Sequence, residues 1–406
     1  MTKIKLLSAA LGLAGLIAAA ASGQILQPVP MVNGVVRSLD SIDAMVGQLP
    51  DRATGTLADA RLGRIAALVR SNPARIALDP EGFPARAGEV LIDDADEALI
   101  SIVQQRGYRL IERGDVLGVR YARLATLPGQ SLTSAIRAMK KLGAKSVSAD
   151  QLHTQSGAAE SPVTVKSADR GPAIGIIDSG IAGRPTAQRG FASGAPKAGN
   201  HGSAIASLII GQGKVRGALP SARLYVADVY GTDPAGGNAS AIAKAIGWLV
   251  SEGVPVITIS LVGPANPLLA RVVAAAQARG TIVVAAVGND GPASSPSYPA
   301  SYPGVIAVTG IDGRDRVLIE AGRATHLDYA APGADMLAAN IGGAAVAVRG
   351  TSFATPLVAA TIASAYPAPN QARRRAALAS VDAGARVMGS RYGRGIVCGK
   401  CRTPIK

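Results

Sequence analysis

Cysteine is nearly missing from this chain: among 406 residues only Cys398 and Cys401 occur, as CGKC close to the end. A CxxC pair can be a redox centre or half of a zinc site. Here no second pair or nearby histidine completes tetrahedral ligation, and no βαβ pattern surrounds it. A small local disulfide in an oxidising compartment is what remains. Aromatic residues make up only 3% and histidines number three, at 153, 201 and 326. Patterns that carry other chemistries are also absent. There is no HExxH and no P-loop, which removes metalloprotease and nucleotide readings. The GxSxG elbow of an α/β-hydrolase esterase is missing too. After the first two dozen residues, no apolar run is long and unbroken enough to cross a bilayer.

Positive charge, in contrast, is plentiful: the formal net charge is +15. Lys and Arg are scattered apart from Arg373-Arg374-Arg375, few aromatics interleave them, and no nucleic-acid reading motif appears. The charge reads as a solvated surface, able to attract an anionic envelope or acidic partners but not a nucleic-acid footprint.

The segment MTKIKLLSAALGLAGLIAAAASGQ begins with Lys3 and Lys5, continues as an apolar run from Leu6 and ends in small residues at Ala19 to Ser22. That is the layout of a secretory signal peptide, expected over residues 1–23, and it implies a secreted or periplasmic protein. Residues 24–86 read as a flexible lead-in with one helix, in which Leu57, Leu62, Ile65, Leu68 and Val69 share a side. Over 87–156 the order strand, helix, two strands, helix, strand is that of a small ferredoxin-like α+β domain. Polar and small residues at 157–171 form a linker. From 172 to 398, short β-branched runs alternate with helical stretches, which predicts a mainly parallel sheet covered by helices on both faces. The last residues, 399–406, are a tail.

In a parallel sheet, ligands bind beyond the carboxyl ends of the strands, so chemical residues should follow strands directly. Asp178 ends the run AIGIID, His201 opens a helix in NHGSAIAS, Asn289 follows TIVVAAVG, and Ser352 begins the helix of GTSFATP. Singly, each is an ordinary cap or turn residue, and Pro356 fits near a helix start. Together they are a nucleophile, a base, a carboxylate and an amide, all at strand ends or helix starts. His153 and His326 read as structural or surface residues, the latter in a polar hairpin.

The motifs IIDSG, NHGS, ALPSARLYVADVYG, VITISLVGP, VVAAVGNDG, YPASYPGVIAVTG, LDYAAPG, GTSFATP and YGRGIV occur in that order from about 172 to 397. Over this span the chain resembles the subtilisin-like serine proteases, the subtilase (peptidase S8) family. The resemblance implies a catalytic triad of Asp178, His201 and Ser352, with an oxyanion hole from the Asn289 amide and the Ser352 N–H. It implies that Ser260, Leu261, Val262 and Gly263 form one wall of the substrate pocket, with Gly288 opposite. Val262 stands where glycine is common, which suggests a pocket for small or medium apolar side chains. HGSAIAS and TPLVAA depart from the usual HGTHVAG and SPHVAG, through Ser203 and Ser207 in the first case, and touch helix packing near the site. The expected activity is serine endopeptidase acting on proteins or peptides through an acyl-enzyme. The small domain would be its propeptide, an intramolecular chaperone and inhibitor cut off in the linker. The alternative is a catalytically weak binding module that recruits a protein partner. No cofactor is implied. Calcium stabilises relatives, but no acidic loop here assigns a site.

Overall fold

The computed structural model describes residues 56–156 and 165–405. The expected signal segment and the linker residues 157–164 lie outside the described residues.

The N-terminal part opens with helix α1 (Thr56–Ser71), followed by β1 (Ile76–Leu78) and β2 (Pro84–Asp93). Then come α2 (Glu97–Gln105), the hairpin β3 (Arg109–Val116) and β4 (Val119–Ala125), α3 (Leu132–Lys141) and β5 (Ser146–Gln151). Both helices start where a side chain can take an orphan N–H: Asp96 accepts from Leu99 and Ser131 from Ser134. The strands form one antiparallel sheet in which β2 lies between β4 and β5, with β1 pairing the early part of β2 and β3 outside β4. Ile92, Val103, Leu124, Ala135 and Met139 fill the layer between this sheet and its two helices.

Beyond the short strand β6 (Thr154–Gln155) the larger domain follows. A small parallel pair, β7 (Val165–Lys166) with β9 (Gly183–Arg184), flanks its entry. Its central sheet has seven strands. They are β8 (Ala173–Asp178), β10 (Ala187–Gly190), β11 (Arg223–Asp228), β12 (Val256–Ile259), β14 (Ile282–Ala286), β15 (Ile306–Ile311) and β16 (Tyr329–Pro332). The spatial order is β10-β11-β8-β12-β14-β15-β16, and every pairing is parallel. Strands buried on both faces need apolar residues at every position rather than at alternate ones, which is why AIGII, VITI and IVVAA are continuous runs. Helices α4 (Asn200–Ile210) and α7 (Thr351–Ala365) cover one face. Helices α5 (Ala239–Ser251) and α6 (Pro267–Ala278) cover the other. The order reverses between β8 and β12, so the crevice beyond their carboxyl ends is where a ligand site is expected. The strand β13 (Leu261–Val262) continues from β12 into that crevice, and a hairpin of β17 (Met336–Ala339) with β18 (Ala345–Val348) precedes α7. Helix α8 (Gln371–Gly384) and a Cys398–Cys401 disulfide complete the described chain.

The small sheet rests on α5 and α6. Asp150 is fully buried and accepts from the Ser240 N–H (2.9 Å) and hydroxyl (2.7 Å) in the first turn of α5. Asn266, the N-cap of α6, donates to Gln151 Oε1 at 2.7 Å and to the Ala149 carbonyl at 3.1 Å. The first turns of both helices thus also dock the small domain.

Three expectations are corrected. The lead-in residues from 56 onward are not loose: Leu57 and Leu68 are buried, while Leu62, placed on the same side by its spacing, is 60% exposed. His326 lies in an irregular loop before β16, not in a hairpin, and its Nε2 meets the Val305 carbonyl at 2.8 Å. Pro356 lies beyond the first turn of α7, so it removes an internal N–H to the Ser352 carbonyl. That carbonyl is satisfied instead by the Ser260 hydroxyl at 2.9 Å.

Candidate active site

Asp178 is the last residue of β8 and is fully buried. Its Oδ2 lies 2.8 Å from Nδ1 of His201, the second residue of α4. Its Oδ1 accepts from the Ser179 N–H at 2.7 Å and from its hydroxyl at 3.2 Å. Such a carboxylate is held in one orientation and so fixes the imidazole it faces. The start of α4 can sit this close because residue 202 is glycine. A Cβ there would lie 2.4 Å from the Ser179 carbonyl oxygen.

Ser352 is the second residue of α7, whose N-cap is Gly350 with φ 142°, a backbone angle suited to glycine. The cap residue has no side chain to satisfy the first N–H groups, so other residues do. The Thr351 N–H donates to Asn289 Oδ1 at 3.0 Å, which orients the amide so that Nδ2 points into the crevice. The Ser352 N–H and Asn289 Nδ2 then converge on a single oxygen, the carbonyl of Ser156, at 3.1 and 2.5 Å. The Ser352 hydroxyl is 2.6 Å from Ser156 Oγ and 3.1 Å from the Ser260 carbonyl. The His201 ring stands with its centroid 5.5 Å from that of Phe353, the next residue.

The crevice is therefore occupied by the chain itself. Gln155 and Thr154 pair antiparallel with Leu261 and Val262, and the Ser156 N–H donates to the Ser260 carbonyl at 3.2 Å. The His153 N–H donates to the Gly237 carbonyl (2.8 Å), and the His153 carbonyl accepts from Tyr230 Oη (2.7 Å). Residues 153–156 form an added strand bound by its backbone, a mode that fixes register independently of side chains. Across the crevice Val262 faces Gly288, whose added Cβ would lie 3.3 Å from Val262 Cγ1. Gly263 faces His153, because a Cβ there would lie 2.6 Å from the imidazole.

Sequence reasoning missed the occupant. His153, read as structural or surface, is fully buried in the crevice. Gln155, assigned no role, donates to Asp178 Oδ1 at 3.0 Å. The available signal was position: HTQS directly precedes the run of small residues in the linker. Among the described residues, no group of three His, Cys, Asp or Glu side chains is arranged to hold a metal ion. No helix among them is long and apolar enough to cross a membrane.

An imidazole locked by a buried carboxylate, a serine at a helix start and two convergent donors form the outline of a subtilisin-like serine endopeptidase. Comparison with known proteins agrees. The Subtilase family model matches residues 169–380. The chain is 35% identical over 245 residues to subtilisin of Bacillus pumilus, covering 55% of this chain and 88% of that one. It is 36% identical over 204 residues to subtilisin BL of Lederbergia lenta, covering 48% and 75%. Fervidolysin from Fervidobacterium pennivorans shares the fold at TM-score 0.63 and 16% identity, over 80% of this chain and 62% of the other. The epidermin leader peptide processing serine protease of Staphylococcus aureus does so at TM-score 0.58 and 17% identity, over 76% and 96%. The chain belongs to the subtilase family, which favours an enzyme over a binding module.

Removing one of the two convergent donors isolates its contribution. Asn289→Ala is expected to lower kcat by about 10²–10³-fold with little change in KM, the scale known for this donor in a subtilisin. Steady-state kinetics on a chromogenic peptide reads it.

Proposed function

We propose that the protein is an exported serine endopeptidase, made as a precursor that cuts its own Ser156–Gly157 bond. The observation that carries this reading is the Ser156 carbonyl oxygen between Asn289 Nδ2 and the Ser352 N–H. In this reading Ser352 Oγ attacks the Ser156 carbonyl carbon while His201 takes the hydroxyl proton. The tetrahedral oxyanion is stabilised by the two donors. Asp178 holds the imidazole tautomer and offsets its transient positive charge. His201 then gives the proton to the Gly157 amine as the C–N bond breaks, leaving Ser156 as an ester on Ser352. Water, deprotonated by the same histidine, hydrolyses that ester.

After the cut, residues up to Ser156 stay in the crevice as an inhibitor, and the mature enzyme begins at Gly157. Expression with and without the Ser352 hydroxyl, followed by intact mass and N-terminal sequencing, tests this. Wild type should yield a chain starting at Gly157, whereas Ser352→Ala should retain everything after the signal segment. Scission of the Ser352→Ala chain at the same bond would assign the cut to another protease. Export follows from the reading of residues 1–23 and is tested by the same N-terminal sequencing of the secreted form.

Val262 facing Gly288, with serine at the first site, supports a preference for small or medium side chains before the cut bond. Ser156, Val262 and Asn289 line part of the same adjoining cavity. Ser156→Ala should process normally, and Ser156→Trp should slow scission by roughly 5- to 150-fold, since overpacking costs ~1–3 kcal/mol.

Release of the inhibitor should depend on pH through His153. Burial pushes its pKa down from 6.5 to about 4, partly opposed by the Gln151 and Pro264 carbonyls, neither of which reaches hydrogen-bond geometry with the ring. A pKa lowered in the bound state means binding is complete above 6.5 and weakens as pH falls from there towards 4, by up to about 300-fold. Asp150, whose pKa burial raises, acts in the opposite sense in this interface. The imidazole contribution is therefore the difference between wild type and His153→Leu. Inhibition constants of the cleaved N-terminal part should rise more steeply for wild type than for His153→Leu as pH is lowered from 7 to 4.5.

A further inference from the structure

The N-terminal part reaches the crevice twice. One contact is the strand 153–156. The other is α1, some 80 residues earlier in sequence, which crosses the rim beside the oxyanion donor. Asp290, next to Asn289, receives two guanidinium groups from α1: Arg61 Nε at 3.0 Å from Oδ2 and Arg64 Nη2 at 2.5 Å from Oδ1. Leu57, one turn earlier, fills the space above Gly291, where an added Cβ would lie 2.9 Å from Leu57 Cδ1. Leu68, two turns later, packs with Ile76, Ala235 and Leu152, the residue that leads into the crevice strand. Leu57, Arg61, Arg64 and Leu68 fall at i, i+4, i+7 and i+11, so one helix face carries these four contacts, while Leu62 is exposed. Arg61 is also held over the Phe83 ring at 5.2 Å, tying the helix to the body of the small domain.

We propose that α1 is a second, separate inhibitory contact: a basic strap on the acidic rim at Asp290 that delays release of the N-terminal part after scission. This rests on the self-processing reading. The strand 153–156 loses its covalent continuity when the bond is cut and can leave the crevice end first. The strap is remote from the cut and keeps its two arginines on one carboxylate, so the departing piece stays at high effective concentration. Each arginine takes one oxygen of the same carboxylate, so Asp290 is held from both sides by charge-assisted contacts.

The test uses the full chain carrying Arg61→Glu and Arg64→Glu. Scission of Ser156–Gly157 is followed by intact mass, and the onset of peptide hydrolysis is followed separately with a chromogenic substrate. Scission should proceed at the wild-type rate, while activity emerges at least about tenfold sooner, because three carboxylates now face one another. Adding Asp290→Arg restores opposite charges and should restore the lag. In an uncleaved Ser352→Ala background, hydrogen exchange should speed up in residues 56–71 of the charge-reversed chain and not in 84–156. An unchanged lag overturns the strap, as does scission that slows together with a general rise in exchange, which would make α1 a folding element. If the wild-type bond is never cut, the processing reading fails. The exchange arm still decides whether the two arginines hold α1 on the rim.

Discussion

Ser352→Ala is expected to abolish labelling by a fluorophosphonate probe and to lower kcat for peptide hydrolysis by about 10⁶-fold, the scale known for loss of a subtilisin nucleophile. The substitution removes one oxygen from the start of a helix that is otherwise fully satisfied. The Thr351 N–H keeps Asn289 Oδ1, the Ser352 carbonyl keeps the Ser260 hydroxyl, and the N–H at 352 still points at the Ser156 carbonyl. Folding should therefore be little affected, and the thermal midpoint of the uncleaved precursor should stay close to that of the wild-type precursor before it cuts. A large fall in activity with an unchanged midpoint separates a chemical role from a capping role. Parallel loss of both would return Ser352 to the helix-cap reading that its local sequence permits.

Asp178→Asn is expected to lower kcat by about 10⁴-fold. The direction follows from the donors around this carboxylate. Oδ1 accepts from the Ser179 N–H and from Gln155 Nε2, so an asparagine must keep its carbonyl oxygen on that side. Its NH₂ then takes the place of Oδ2, 2.8 Å from His201 Nδ1 in the native protein. Facing a donor, Nδ1 must accept, which moves the ring proton to Nε2 and leaves no lone pair there for the serine hydroxyl. The variant should regain activity at high pH only weakly, if at all, and should keep its fold. A loss of less than tenfold would mean that the carboxylate does not govern the tautomer.

The parallel sheet was legible because strands buried on both faces must be apolar throughout, and AIGIID, VITI and TIVVAAV meet that demand. Asp178, His201, Asn289 and Ser352 each end or follow a strand or open a helix, but position alone leaves them ordinary caps and turns; what singled them out is the order of the motifs around them, which resembles the subtilase family. Pro356 was misjudged, since its lost hydrogen bond is replaced by Ser260, 96 positions away in sequence. By period Leu62 shares a side with Leu57 and Leu68, yet it is exposed. Helical spacing defines a side but not what covers it, and α1 turns Leu57 and Leu68 inward with two arginines between them. The role of residues 153–156 was not legible. An added strand is held by its backbone, and backbone hydrogen bonds leave little trace in side-chain pattern.

The central claim is that the Ser156 carbonyl is presented to Ser352 within the same chain. Its most direct measurement is the rate and position of scission in purified precursor diluted over two decades of concentration. The account predicts a new N-terminus at Gly157, formed at a first-order rate that does not change with dilution. A different terminus, or a rate that falls in proportion to concentration, would contradict it.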